Sequence, residues 1–307
     1  LELLYMHGRR KQITYASPFV KFFMEKIDGL ISIQAQTNLK RLSGVPPTKI
    51  KQRAVSQREI IEIYRKHFKP GGLAIIPYPT EAFAQEAEMS IFEYQDFVTK
   101  ACFLDKKDPV EEWRKLSKRQ KRITQKLNKV NQMRFVSEDT DLKLKVKGRR
   151  WINCDGHINM PDGEVFTGPV ENSAQGQIRF NYPGIYKGRE IEDITLIFRN
   201  GKVMQAKAEK GEELLKELLK ADVGAKRIGE IAIGTNKGIT RFTKNMLFDE
   251  KMGHCIHLAL GRSIQISGGK NQSSIHWDLL NDMEHGEIYA DGELIYENGR
   301  FLIWKSS

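Results

Sequence analysis

The chain has 307 residues, 40% of them hydrophobic, and a formal net charge of +11, enough for one large domain or two ordinary ones with a full core. No apolar run approaches the ~18 residues of a membrane-spanning helix, so no transmembrane helix is visible in this sequence. The three cysteines, Cys102, Cys154 and Cys255, are odd in number and form no CxxC pair, which excludes a disulfide framework and a zinc ribbon and suits the cytoplasm.

The sequence starts at Leu1, without Met, inside a helical pattern, so the natural N-terminus is expected to be missing. "SPFVKFFMEKI" is apolar at helical intervals, and "DGLISIQAQTN" alternates as a strand. "VSQREIIEIYRKHF" reads as a helix with Ser56 and Glu59 spaced as a capping box. "GGLAIIPYPT" reads as a strand after a glycine turn, and "AEMSIFEYQDFVTKACFL" as a helix capped by Ser90 with Glu93. This alternation predicts an N-terminal α/β domain with a mostly parallel sheet over residues 1–140.

Between Lys100 and Arg150 basic residues cluster, as in "RKLSKRQKRITQKLNKV". A nucleic-acid partner is one reading of such charge. Leu116, Ile123, Leu127 and Val130 recur at helical spacing between the charges, and no recognition motif accompanies them. A solvated amphipathic helix is therefore preferred and nucleic acid is not expected as a partner. Past "VSEDTD" the pattern changes to short strands and turns. Alternation in "DLKLKV" and the "RNGKV" turn predict antiparallel hairpins, interrupted by the helix "GEELLKELLKAD". Residues 141–307 are read as a second, mostly antiparallel domain.

That second part offers candidate metal ligands in four places. Glu164 follows a Pro-Asp-Gly turn, and Glu230 sits between apolar positions in "IGEIAIGTN". Glu250 and His257 lie in "LFDEKMGHCIHLALG", and His276 and Asp278 in "SSIHWD". Residues two apart on a strand share a face, so His276 and Asp278 point together. Taken singly, each Glu also fits an ion-paired residue and each His a hydrogen-bonded structural one. His7, His67, His157, His254 and His285 are read that way. Taken together, carboxylates in apolar surroundings with two imidazoles form an inventory for two divalent ions ~3.5–4 Å apart. Oxygen and imidazole donors without thiolate suit Zn, Co or Mn better than Mg. No short motif such as HExxH is present, and spacing alone leaves both readings open.

The stretches "NMPDGEVFTGPVENSAQG", "IGEIAIGTN", "FDEK" with "HLALG", and "GGKNQSSIHWD" resemble the aminopeptidase T family of metalloaminopeptidases, which includes the PepS-type enzymes. The resemblance is dense from Arg150 to "GELIYENG" and looser before, in "YASPF", "LSGV", "YPT" and "ACFLDKKDPVEEWRKLSKRQ". It implies an exopeptidase that removes N-terminal residues from short peptides with two divalent ions, in a homodimer with enclosed active sites. It implies Glu164, Glu250, His257, His276 and Asp278 as metal ligands and Glu230 as bridging ligand and catalytic carboxylate. One departure stands out. In "GRSIQISGGKN", Ile264 occupies the position of a family Tyr thought to donate a hydrogen bond to the developing oxyanion, a loss worth ~2.7–4 kcal/mol of transition-state stabilisation. The alternative reading is therefore a metal-binding homologue with weak or no peptidase activity.

Overall fold

The computed structural model describes residues 1–57, 59, 60, 62, 63, 72–186 and 188–302. Its N-terminal part follows the predicted alternation. Ser17 caps the helix Pro18–Lys26, with Pro18 in the first turn, where its missing N–H costs nothing. Strands Leu30–Gln34 and Leu73–Pro77 pair in parallel, Leu30 opposite Leu73. The expected mostly parallel sheet is seen as this single pair among the described residues. Ser90 and Glu93 form both halves of the capping box that opens the helix Ile91–Ala101. Ser56 does the reverse of what its spacing suggested. It ends the helix Pro47–Ser56, and its hydroxyl donates to the Arg53 carbonyl at 2.8 Å. Most of the helix expected after it lies outside the described residues.

Among the described residues the remainder is built on two large antiparallel sheets, beside a two-stranded one of Gly184–Tyr186 and Arg189–Ile191. The larger has eight strands, in spatial order Lys202–Lys207, Ile194–Arg199, Gln175–Phe180, Thr140–Lys145, Gln132–Ser137, Glu287–Ala290, Glu293–Glu297 and Arg300–Phe301. The smaller has five, in the order His276–Asp282, Cys255–Gly261, Ile228–Gly234, Glu164–Thr167 and Ile152–Cys154. Asn200 and Gly201, both at positive φ, close the predicted "RNGKV" hairpin, as a two-residue turn with that twist requires. The change of sequence pattern near residue 140 falls at the first hairpin, where Ser137 stands opposite Thr140. The fold is thus mixed α/β, with antiparallel sheets carrying its second part.

Period-two alternation explains how the small sheet serves two layers. Val165, Ile231, Ile233, Ile256, Leu258 and Leu279 join the main core, where they meet Phe135, Leu142 and Leu144 of the large sheet. The residues between them point to the opposite face, which Tyr94, Phe97 and Phe248 of the helical layer help to cover. Strands buried on both faces read as near-continuous apolar runs, and Ile228–Gly234 and Cys255–Gly261 are buried at every residue. The basic helix Pro109–Leu127 packs as its spacing predicts, with Leu116, Ile123 and Leu127 inward.

Gln120 on that helix is wholly buried. Its amide reaches Asn153 Oδ1 and the carbonyls of Cys154 and Glu164 at 2.6–2.8 Å, and its carbonyl accepts from the Thr235 hydroxyl at 2.9 Å. Replacing Gln120 by Leu leaves these groups without their partner, each costing about 1–3 kcal/mol. The expected result is a loss of about 2–4 kcal/mol, read from the urea midpoint at unchanged slope.

Candidate metal centre

Four segments bring the candidate ligands to the outer face of the five-stranded sheet. Gly163 ends the Pro-Asp-Gly turn at φ +130°, where a Cβ would lie 2.6 Å from the Cβ of Asn236. Only glycine lets the turn approach Thr235, whose N–H donates to the Gly163 carbonyl at 2.7 Å, and so start a strand on Glu164. Small residues stand opposite the functional ones across the ladder. Gly234 faces Glu164, Ala232 faces His257, Ala259 faces both Glu230 and Asp278, and Gly261 faces His276. Those pairings leave room above the sheet for the long polar side chains.

The side chains converge. His257 Nε2 lies 3.3 Å from Glu230 Oε1, 3.5 Å from Glu164 Oε2 and 4.0 Å from Asp278 Oδ1. His276 Nε2 lies 3.5 Å from Asp278 Oδ1 and 3.8 Å from Glu230 Oε2. Glu250, which follows the short helix Met246–Asp249, offers an oxygen within 4.8 Å of ligand atoms on His257 and Asp278. All six predicted site residues therefore meet in one place.

Both imidazoles are oriented from behind. His257 Nδ1 donates to the Glu250 carbonyl at 3.1 Å, and His276 Nδ1 to the Arg262 carbonyl at 2.6 Å. This is how metal-binding histidines are commonly held, with the other nitrogen aimed at the ion. Glu164 Oε2, Glu230 Oε2 and Asp278 Oδ1 are buried and accept no hydrogen bond. Buried carboxylate oxygens are costly unless paired or coordinated, so the donor set fits a divalent cation.

The electrostatics agree. Burial drives the Glu164 carboxyl well above its ordinary value and holds that of Asp278 up at about 6, although His276 and His257 oppose it. Burial also works against a charge on His257, yet Glu164, Glu230 and Asp278 override it and lift its imidazole to about 10. So strong a hold on a proton marks an excess of negative charge, which a divalent cation would also offset.

Three neighbours carry no signal in the spacing. Lys251, fully buried, is ion-paired with Glu250 and lies 3.9 Å from Glu164 Oε1. Asp162, held at about 6 by burial, and Cys154 lie beside Glu164. Their places depend on the approach of segments distant in sequence. "FDEK" does contain Lys251, yet an adjacent Lys usually points to solvent. His157 sits at the surface, paired with Asp155 at 2.5 Å. His254 lies near Cys255 and Asp282, so it has neighbours that its sequence context did not suggest. His67 is outside the described residues. Ile264 precedes a single 3-10 turn, Gln265–Ser267, and is 40% exposed. Its aliphatic side chain offers no donor.

The family model described as thermophilic metalloprotease (M29) matches residues 1–301. Aminopeptidase AmpS of Bacillus subtilis is 32% identical over 66% of the chain, and aminopeptidase PepS of Streptococcus thermophilus 31% identical over 67%. The matched part spans 58% of the length of each of these two relatives. Among solved structures, wild-type AmpT from Thermus thermophilus superposes with a TM-score of 0.81 at 22% identity, covering 97% of this chain and 83% of that one, which shows a shared fold.

Proposed function

As this chain belongs to the thermophilic metalloprotease (M29) family, we propose that it is a metalloaminopeptidase that hydrolyses the N-terminal peptide bond of short peptides at a two-metal site. The observation that carries this reading is the set of three buried carboxylate oxygens that accept no hydrogen bond and face two imidazoles whose Nδ1 atoms are already committed. Glu164, Glu230, His257, His276 and Asp278 would hold the ions, with Glu250 at the edge of the set. Divalent ions such as Zn, Co or Mn would supply Lewis acidity and lower the pKa of a water.

The chain's own groups do the rest. Glu230, at the centre of the cluster, accepts a proton from the attacking water and delivers it to the leaving amine. The excess of carboxylates suits the protonated α-amine of a free N-terminus. The backbone carbonyls of Glu250 and Arg262 keep the imidazoles in one tautomer. In this proposal residues 141–307 form the catalytic part, and the protein works as a cytoplasmic homodimer with enclosed sites. Among the described residues no helix is long and apolar enough to cross a membrane.

The test is dialysis against chelator, followed by return of Zn, Co, Mn or Mg one at a time. Release of N-terminal residues from unblocked peptides should return with the ion and be absent with N-acetylated peptides. About two bound ions without turnover would favour the second reading, a metal-binding homologue in which Ile264 has removed an oxyanion donor. No bound ion at all would sink both.

A further inference from the structure

Lys251 is the feature that the proposed chemistry leaves unused. Its side chain has no exposed surface. Its ammonium is paired with Glu250 and stands 3.9 Å from one oxygen of Glu164, whose other oxygen faces His257 Nε2 at 3.5 Å. A lysine so placed brings three donors and no acceptor, and it cannot serve as a metal ligand while charged. Stability alone is a poor reason for it. Taking two charges out of water costs several kcal/mol per ion, and an apolar pair of the same volume often does as well. What the lysine does supply is a positive charge, encoded in the chain, inside a cluster that holds the four carboxylates Glu164, Glu230, Glu250 and Asp278.

We infer that Lys251 is the internal counter-ion of the metal centre: it keeps the carboxylate cluster assembled when no divalent ion is present, and it holds Glu250 in competition with the ion. Lys251 is a positioning residue in this account, acting through Glu250 and Glu164. The inference rests on the metal reading above. It divides the six candidate ligands into five that face one another and one, Glu250, that is already taken.

The experiment compares the full chain with K251M, E250Q and the K251M/E250Q double variant. Melting temperatures are taken in excess chelator, and affinity for Zn alone is measured by competition with a chromophoric chelator. Methionine keeps the length of the lysine without its charge. K251M should lower the melting temperature in chelator by about 5 °C or more, and the double variant should recover at least half of that loss. K251M should also bind Zn at least ~10-fold more tightly, because a charge beside the site is gone and Glu250 is released.

A lysine that only fills space would not be rescued by E250Q and would not change Zn affinity, so either result overturns the inference. Weaker Zn binding by K251M overturns it as well. If K251M does not fold in chelator, folding of the double variant supports the inference and its absence refutes it. A wild-type chain that binds no Zn would instead refute the metal reading, and the inference with it.

Discussion

Replacing Glu230 by Gln should lower peptide turnover by about 10³-fold while leaving the fold intact, a loss within the range typical of a general acid–base group. Gln has the shape of Glu and keeps a carbonyl oxygen, so the contact with His257, 3.3 Å in the wild type, survives in outline. What disappears is the group that takes the proton in the proposed mechanism. Stability should change little. Glu230 is 4% exposed and stands among other carboxylates, with His257 3.3 Å from one of its oxygens. In the metal-free state its replacement relieves repulsion among the carboxylates and weakens the hold on His257, two effects of opposite sign. Circular dichroism and the melting temperature report the fold, and bound ion per chain is measured alongside turnover. A variant that keeps as many ions as the wild type and loses turnover assigns the loss to proton transfer. A folded variant with wild-type turnover would remove Glu230 from the mechanism.

Much of this site was legible because its residues lie on strands, where periodicity fixes the face. His276 and Asp278 had to point together, and they do, 3.5 Å apart. The apolar neighbours of Glu230 and His257 were visible in the sequence, and they belong to strands buried at every residue. Local chemistry was legible too, as at the Ser90–Glu93 capping box and the Asn200–Gly201 turn. Ser56 misled because the same residue type serves at both ends of a helix. Its hydroxyl found the Arg53 carbonyl rather than a free N–H further on. Gln120 and Lys251 were not legible for a different reason. Nothing within a few residues of either distinguishes it from a solvated neighbour. Each becomes buried only when distant segments close over it, Gln120 beneath Glu164 and Thr235, Lys251 between Glu250 and Glu164. The convergence of four separated segments was likewise beyond periodicity and came from the family resemblance.

The protein in excess chelator should lose stability as pH rises from about 4 to about 8, the reverse of ordinary acid denaturation. Burial holds the carboxyls of Asp162 and Asp278 at about 6 and that of Asp249 at about 8, against roughly 3.9 for Asp in an unfolded chain. The native state therefore keeps protons that the unfolded chain has already released. For groups raised in this way the stabilisation is complete below the unfolded pKa and is lost as pH rises through the folded one. His257 acts in the same direction. Burial opposes its charge, but Glu164, Glu230 and Asp278 hold it protonated to about 10, so its contribution declines above ~6.5. Asp222 has the opposite sign: hydrogen bonds from Ser274, Ser273 and Ala225 outweigh its desolvation and hold it at about 2, so its contribution is lost only below about pH 4. A divalent ion inverts the slope, because its ligands must be deprotonated and protons compete with it for the same atoms. The rise in melting temperature produced by Zn should thus be small at pH 5 and widen steadily to pH 8. Melting curves at pH 5, 6, 7 and 8, with chelator and with Zn, measure both slopes. A chelated protein that grows more stable over that range, or a Zn increment that does not depend on pH, would mean that the buried carboxylates are not where the ion and the proton meet.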